Sequence, residues 1–410
     1  MLQGDGIKST VYKLLSPEDK ISQGIKHEST IEFVDCLLYT AINVHASDIH
    51  IQPEEDRARI RFRIDGTLYD QEDVSSEISK LVISRIKILA GLDIATQRLP
   101  QDGKIKILMY ENFGRTHIID LRISTFPSTY GEKMVVRILD REYNLLELES
   151  LGFDKPLFES VKNLVSKPHG FFLVTGPTGA GKTTTLYAML SYLNNPGKNI
   201  ITMEDPVEYA LDGITQSQVN EKAGFIFQNG LRSLLRQDPD IIMIGEIRDK
   251  ITAQIAIEAA LTGHMVFSTL HTNDAAGAVT RLLDMDVEPF LISATLTGVI
   301  AQRLARKLCS SCKKTIDNST FKNLENLSTQ SYVSNGCSKC FNLGHSGRIG
   351  IFELLVLDEK IKNLIVQKSS NEVIQKQAKE NGMITLQDDG IQKVKSGQIS
   401  LDEFLSTIAM

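Results

Sequence analysis

One run of eight residues constrains this chain more than any other: Gly176-Pro177-Thr178-Gly179-Ala180-Gly181-Lys182-Thr183. It matches G-x-x-x-x-G-K-[ST], with an apolar run, Phe171 to Thr175, before it and a helical pattern, Lys182 to Leu193, after it. Glycines let the backbone curl its N–H groups around an anion, and a helix starting at Lys182 aims its positive end at the same point. The motif therefore demands a strand, a tight loop and a helix in that order. It predicts that Lys182 reaches the outer phosphates of a nucleotide and that the Thr183 hydroxyl ligates Mg²⁺. Thr184 completes the candidate nucleotide-binding set.

Strand and helix patterns continue to alternate downstream. Asn199–Met203, Ile241–Ile244 and Met265–Thr269 read as strands, and Thr252–Ala260 as a helix. Such alternation predicts an α/β domain with a mostly parallel sheet; a helical C-terminal region is expected beyond it. In such a sheet an acidic group is needed at the end of a neighbouring strand. Glu246 follows the apolar run Ile241–Ile244 directly and is placed to hold the Mg²⁺ shell or polarise water. Gly245 occupies the position where many nucleoside triphosphatases carry a metal-holding Asp, so Glu246 would reach the metal through water. Glu204, with Asp205 and Glu208, follows another strand and is a second candidate for orienting the attacking water; a strand-ending turn at Pro206 is the alternative. His264 and His271 flank Met265–Leu270, where a neutral imidazole could sense a phosphate; either alone is more often structural.

Cys309-Ser310-Ser311-Cys312 and Cys337-Ser338-Lys339-Cys340 form a pair of C-x-x-C knuckles. Two knuckles complete a tetrahedral four-thiolate site, with no open position, which predicts structural Zn²⁺. The fifth cysteine, Cys36, is expected to be a small buried hydrophobe.

The rest of the chain limits the function classes. With 410 residues, two or three domains are expected. A net charge of −6 and the absence of Trp argue against a dedicated nucleic-acid binder. No apolar run approaches the roughly 20 residues that cross a bilayer, and Met1–Tyr12 lacks the apolar core of a signal peptide. A cytoplasmic protein with at most peripheral membrane contact is expected.

Upstream of the loop lies a smaller α+β domain. Residues 1–30 read as an extension, and Ile31, Val34, Leu37, Leu38, Ala41 and Ile42 recur at helical spacing. Ala58, Ile60, Phe62 and Ile64 alternate with Arg57, Arg59, Arg61 and Arg63; Asp65-Gly66 is a hairpin signal. The arginine face is either a subunit contact or a solvated strand face. A helix near Val82–Leu89 and strands near Ile118–Ile123 and Met134–Leu139 follow. The domains are expected at 31–140 and 151–410, joined by a linker at 141–150, with the cysteine module at about 305–345.

Together these motifs resemble the secretion ATPase family, comprising type II secretion ATPases and type IV pilus-assembly ATPases. The resemblance runs from about His45 to the C-terminus. It rests on strings such as Ala46-Ser47-Asp48-Ile49-His50, Leu99-Pro100-Gln101-Asp102-Gly103, Gly131-Glu132-Lys133, Gly245-Glu246-Ile247-Arg248-Asp249, Leu261-Thr262-Gly263-His264 and Gln302-Arg303-Leu304. It implies a RecA-like ATPase domain, a PAS-like N-terminal domain on a flexible linker, and a homohexameric ring docked through inner-membrane platform proteins. It further implies that Glu204 is the general base, that Glu246 is the Walker B acid and that His264 and His271 form a histidine box. Arg122 and Arg137 would be brought to the nucleotide by the N-terminal domain, and Arg232 and Arg236 would act at the nucleotide site within or across subunits. The cysteine quartet matches the secretion and pilus-extension branch; retraction ATPases usually lack it. Ile251, Asp286 and His345 depart from the usual Glu, Gly and Tyr.

Overall fold

The computed structural model describes residues 11–14, 29–110, 116–140, 147–317 and 330–408. The chain divides into two compact units at Asn144/Leu145.

In the N-terminal unit the elements are β1 (Val11–Leu14), α1 (Thr30–Asn43), β2 (Asp48–Pro53), β3 (Arg57–Ile64), β4 (Thr67–Asp70), β5 (Val74–Ser75), α2 (Ser76–Leu89), β6 (Gln101–Tyr110), β7 (Thr116–Ser128) and β8 (Gly131–Asp140). The strands form one sheet in the order β1-β6-β7-β8-β2-β3-β4, with β5 beside β3. All pairs are antiparallel except β1 with β6. The period-2 pattern of β3 is obeyed: Ala58, Ile60, Phe62 and Ile64 are buried. Asp65 and Gly66 both take positive φ, 48° and 87°, as a two-residue hairpin with right-handed strand twist needs. Serines cap both helices: Ser29 Oγ accepts from Glu32 N, and Ser75 Oγ accepts from Ile78 N. The buried Lys87 ammonium donates to both oxygens of Glu132, at 2.9 and 3.1 Å, and to the Thr96 carbonyl at 2.7 Å. That pair ties α2 to β8. The expected extension supplies β1; the rest of residues 1–28 lies outside the described residues. Cys36 departs from expectation. It is only half-buried, off the α1 stripe, with Sγ 3.9 Å from Thr40 Oγ1.

In the second unit follow α3 (Lys155–Val165), β9 (Gly170–Thr175), α4 (Lys182–Leu193), β10 (Ile200–Glu204), β11 (Thr215–Gln218), α5 (Phe227–Leu234), β12 (Ile241–Ile244), α6 (Lys250–Leu261), β13 (Met265–Leu270), α7 (Ala275–Asp284), α8 (Pro289–Thr295), β14 (Leu296–Leu308), β15 (Lys313–Asp317), β16 (Gln330–Ser334) and β17 (His345–Val356). Four helices end the unit: α9 (Glu359–Val366), α10 (Asn371–Glu380), α11 (Leu386–Lys395) and α12 (Leu401–Ile408). The main sheet runs β11-β10-β12-β13-β9-β14-β17, parallel throughout except for β17. Every residue of β9, β12 and β13 is buried, because helices cover both faces of a parallel sheet.

Two boundaries differ from the sequence reading. Leu148 and Leu151 are buried in the second unit's core, so that unit starts before residue 151; most of the expected linker, 141–146, lies outside the described residues. The region after β13 is not simply helical. Leu296–Leu308 and His345–Val356 pair as a long antiparallel ladder at the sheet's edge. Most of β14 is buried, with an unbroken buried run from Gly298 to Arg303, so its apolar residues follow no alternation. Beyond Ala301, β14 has no partner on its β9 side. There the Arg306 N–H donates to Glu403 at 2.8 Å and the Leu308 N–H to the Gln398 carbonyl at 2.8 Å.

Candidate functional site

The parallel sheet gathers the C-terminal ends of its strands along one edge, where the motif loop leaves β9. The loop is fixed from three sides. Thr175 Oγ1 donates to the Leu270 carbonyl at 3.1 Å and shares a 2.8 Å hydrogen bond with Thr272 Oγ1, tying β9 to the segment after β13. Gly176 and Ala180 are buried, whereas Pro177, Thr178 and Gly179 form the exposed tip. At Gly181 φ is 84°, and a Cβ there would lie 2.9 Å from Gln302 Nε2; only glycine meets both demands. Gly181 is also the N-cap of α4 and offers no side-chain acceptor. By contrast α3, α6 and α7 are capped by Asp154, Asp249 and Asp274. The first N–H groups of α4 thus point into the loop, as an anion site requires.

Lys182 lies over this loop, its ammonium donating to the carbonyls of Gly176 at 2.9 Å and Pro177 at 3.1 Å. Burial holds its pKa below the usual lysine value, Glu246 opposes that effect and Arg303 adds to it. Glu246 leaves the end of β12, partly buried, paired with Arg248 and 3.5 Å from His271 Nε2. His271 follows β13. Burial first, then Lys182, keeps its pKa below 6.5, although Glu246 pulls it upward. Lys182, Glu246 and His271 therefore converge, and the imidazole is neutral at pH 7. Thr183 and Thr184 are half-buried in the first turn of α4. A hydroxyl and a carboxylate are the hard oxygen donors that Mg²⁺ takes, so Thr183 and Glu246 fit that ion.

Three expectations change. Glu204 ends β10 but is 2 % exposed. Its carboxylate accepts from Tyr187 Oη, from Thr202 Oγ1 at 2.5 Å and from Gln216 Nε2 at 3.2 Å. Burial raises its pKa against those donors. A carboxylate so enclosed between β10, β11 and α4 is not presented to a water at the loop; Glu246 is the acid that faces Lys182. His264 sits at the start of β13, at the opposite edge from His271, about 20 Å away along a six-residue strand. Its Nδ1 is 2.8 Å from the Ala259 carbonyl and its own carbonyl accepts from Gly170 N, so it closes the end of α6 rather than facing the loop. Arg236 likewise folds back on its own turn, donating to the Arg232 carbonyl at 2.8 Å and Ser233 Oγ at 3.2 Å. Arg232 is exposed on α5. Directly after Arg236 the Gln237 and Asp238 carbonyls accept from Asn199 Nδ2 at 2.8 Å, just before the start of β10.

The polar pair Gln302 and Arg303, buried in β14, is part of the loop's surroundings that residue patterns alone did not single out. Arg303 donates to the carbonyls of Gln302 and Asn273, at 3.1 and 3.0 Å. Two successive polar residues directly after the apolar run Val299–Ala301 were the available signal.

In the N-terminal unit, Arg122 and Arg137 are direct cross-strand partners on β7 and β8. The same row continues through Lys104 on β6 and, on the other side, Asp48 and Arg63 on β2 and β3. Cross-strand partners share a face, so four cations and one carboxylate stand in line. Asp48 accepts from Arg137 Nε at 3.0 Å and lies 3.7 Å from Arg63 Nε. The arginine face of β3 is mostly engaged nearby: Arg57 pairs with Asp73 at 2.8 Å, Arg59 with Asp70 at 2.8 Å, and Arg61 with Gln52 at 2.6 Å.

The cysteine quartet is assembled. Cys309 and Cys312 bracket the turn from β14 to β15, and Cys337 and Cys340 bracket a turn after β16. All four Sγ atoms lie within 4.8 Å of one another; three pairs are 3.8 to 3.9 Å apart. A tetrahedron of thiolates about 2.3 Å from zinc has edges of about 3.8 Å. Burial raises the Cys340 thiol's pKa, but N–H groups of Cys337 and Gly344 aimed at Sγ, at 3.2 and 3.3 Å, bring it down to about 7. The donor set fits structural zinc.

Among the described residues no helix is long and apolar enough to cross a membrane. The chain is 46% identical over 380 residues to the type II secretion system ATPase E of Vibrio cholerae, covering 92% of this chain and 74% of that one. It is 47% identical over 382 residues to the type IV pilus assembly ATPase PilB of Thermus thermophilus, covering 92% of this chain and 42% of that one. Among solved structures, the pilus retraction motor PilT with bound ADP superposes with a TM-score of 0.59 at 27% identity, over 90% of this chain and 95% of that one. The model of the type II/IV secretion system protein family matches residues 24–406. A match of that extent covers both units, and the chain belongs to the type II/IV secretion system protein family.

Proposed function

We propose that this chain is an ATP-hydrolysing motor that powers type II secretion or type IV pilus assembly, working as a homohexamer on the cytoplasmic face of the inner membrane. The observation that carries the reading is the convergence of Lys182, Glu246 and His271 on a glycine loop at the strand ends of a parallel sheet. The N–H groups of the loop and of α4 bind the phosphates, and Lys182 leaves the loop carbonyls for the β- and γ-phosphate oxygens. Bound Mg²⁺ would neutralise charge between those phosphates, held by Thr183 and by Glu246 through water. Glu246 orients the attacking water, and neutral His271 donates a hydrogen bond to the γ-phosphate. Glu204 keeps β10, β11 and α4 together beneath the site.

Arg122 and Arg137 would supply guanidinium groups to the nucleotide when the N-terminal unit closes, and their release after hydrolysis would deliver the stroke. Arg232 and Arg236 would serve at a neighbouring subunit's site. Cys309, Cys312, Cys337 and Cys340 would hold structural Zn²⁺, a feature that favours secretion or pilus extension over retraction. Docking would run through inner-membrane platform proteins rather than through lipid. The test is Mg²⁺-dependent phosphate release from the purified chain, read against protein concentration and with added single-stranded DNA. Turnover per subunit should rise as rings assemble and ignore DNA. Absence of turnover at any concentration, or strong stimulation by DNA, would reject this function.

A further inference from the structure

The phosphate loop can work only if its backbone N–H groups converge before the nucleotide arrives. Glycines permit that shape without enforcing it. Something must hold the loop from behind, and one residue lies against it at both ends, with its backbone at the entry and its side chain at the exit. Gln302 lies on β14, one residue past the pairing of Ala301 with Thr175, the last residue of β9. It is 2 % exposed. At the loop's entry, the Gln302 carbonyl oxygen would be 2.5 Å from a Cβ on Gly176. At its exit, Nε2 would be 2.9 Å from a Cβ on Gly181. In the first turn of α4, the fully buried Thr185 donates its hydroxyl to Gln302 Oε1 at 2.7 Å.

We infer that Gln302 is a positioning residue of the nucleotide site: through Thr185 it sets the height and rotation of the first turn of α4, and so the direction of the N–H groups that meet the phosphates. The inference rests on the reading of this loop as the ATP site. It goes further in naming what preorganises it. Gln302 touches no reacting atom. Its carboxamide suits the task because Oε1 accepts from Thr185 while the amide nitrogen stands against Gly181. The Arg303 guanidinium adds a brace by bridging the Gln302 and Asn273 carbonyls, which links the loop's support to the segment carrying His271.

A buried hydrogen bond of this kind should appear in binding, since misdirected amides weaken the hold on phosphate before they touch the chemical step. In the full-length chain, Gln302→Ala and Thr185→Val are each expected to raise the dissociation constant of a fluorescent ATP analogue with Mg²⁺ about tenfold. They should lower kcat by less than threefold at saturation. The double variant should be no weaker than the worse single one, because both remove the same hydrogen bond. A residue that only stabilised the core would lower the melting temperature and leave the ratio of KM to kcat unchanged. Thr185→Val is nearly isosteric and keeps the proposal testable if Gln302→Ala folds poorly. Wild-type affinity in Thr185→Val, or fully additive losses in the double variant, would overturn the inference. If the unmodified chain fails to bind Mg·ATP, it is the assignment of the loop that falls.

Discussion

The phosphate loop and the cationic row of the N-terminal unit concentrate positive charge by opposite means. At the loop the charge is mainly backbone: N–H groups and a helix end held by the sheet, with Lys182 added. In the row it is all side chain, delivered by the register of five strands, with Asp48 standing among the cations. The loop's donors cannot leave, whereas Arg137 has 60% of its side chain exposed. Fixed amides suit a group that must be gripped throughout a cycle. Long exposed guanidiniums suit contacts made and broken once per cycle.

The largest expected effect tests the gripping side. Lys182→Ala should reduce turnover to background while leaving the fold intact by circular dichroism; turnover near wild type would break the comparison. Arg137→Ala tests the other side. A guanidinium delivered to a γ-phosphate is worth about 10³ to 10⁵ in rate, so kcat should fall by at least about 10³ with nucleotide affinity changed little. A loss of affinity without a loss of kcat would mean that the row also grips.

The cysteine quartet sharpens the contrast, being made of side chains that a metal would lock. One zinc per chain is expected by elemental analysis, and Cys309→Ser should abolish it and lower the melting temperature by several degrees. Undiminished metal content in that variant would remove Cys309 from the site. The smallest effect concerns pH. The folded-state pKa of His271 lies below 6.5, so an unfolded chain binds the proton first as pH falls. Stability contributed by the neutral imidazole is complete above pH 6.5 and is lost as pH drops below it. His271→Asn should flatten that acid-side loss by a small amount in melting scans; an unchanged slope would place the imidazole in water.

The loop, the strands and helix around it, and the two knuckles were legible because each is a contiguous word whose residues act within one turn of chain. The row was not. Arg122 and Arg137 entered by resemblance, while their alignment with Lys104, Asp48 and Arg63 exists only once five strands pair. His264 entered by resemblance as well; in a parallel sheet the C-terminal end of β13, where His271 follows, is the end that meets the loop. The β14–β17 ladder was missed for a different reason: burial on both faces erases the alternation that marks a strand. One departure from the family pattern became intelligible. Asp286 takes φ of 56°, a conformation that glycine adopts freely and Asp tolerates, so the exchange from the usual Gly keeps the turn.

The stretch of β14 beyond Ala301 presents backbone donors on a side where no strand joins it, and the C-terminal segment covers them through Glu403 and the Gln398 carbonyl. An uncovered strand edge recruits edges from other molecules. The C-terminal segment shields that edge, so a chain shortened before Gln398 should keep its loop after β9 yet lose solubility as exposed strand edges pair between molecules.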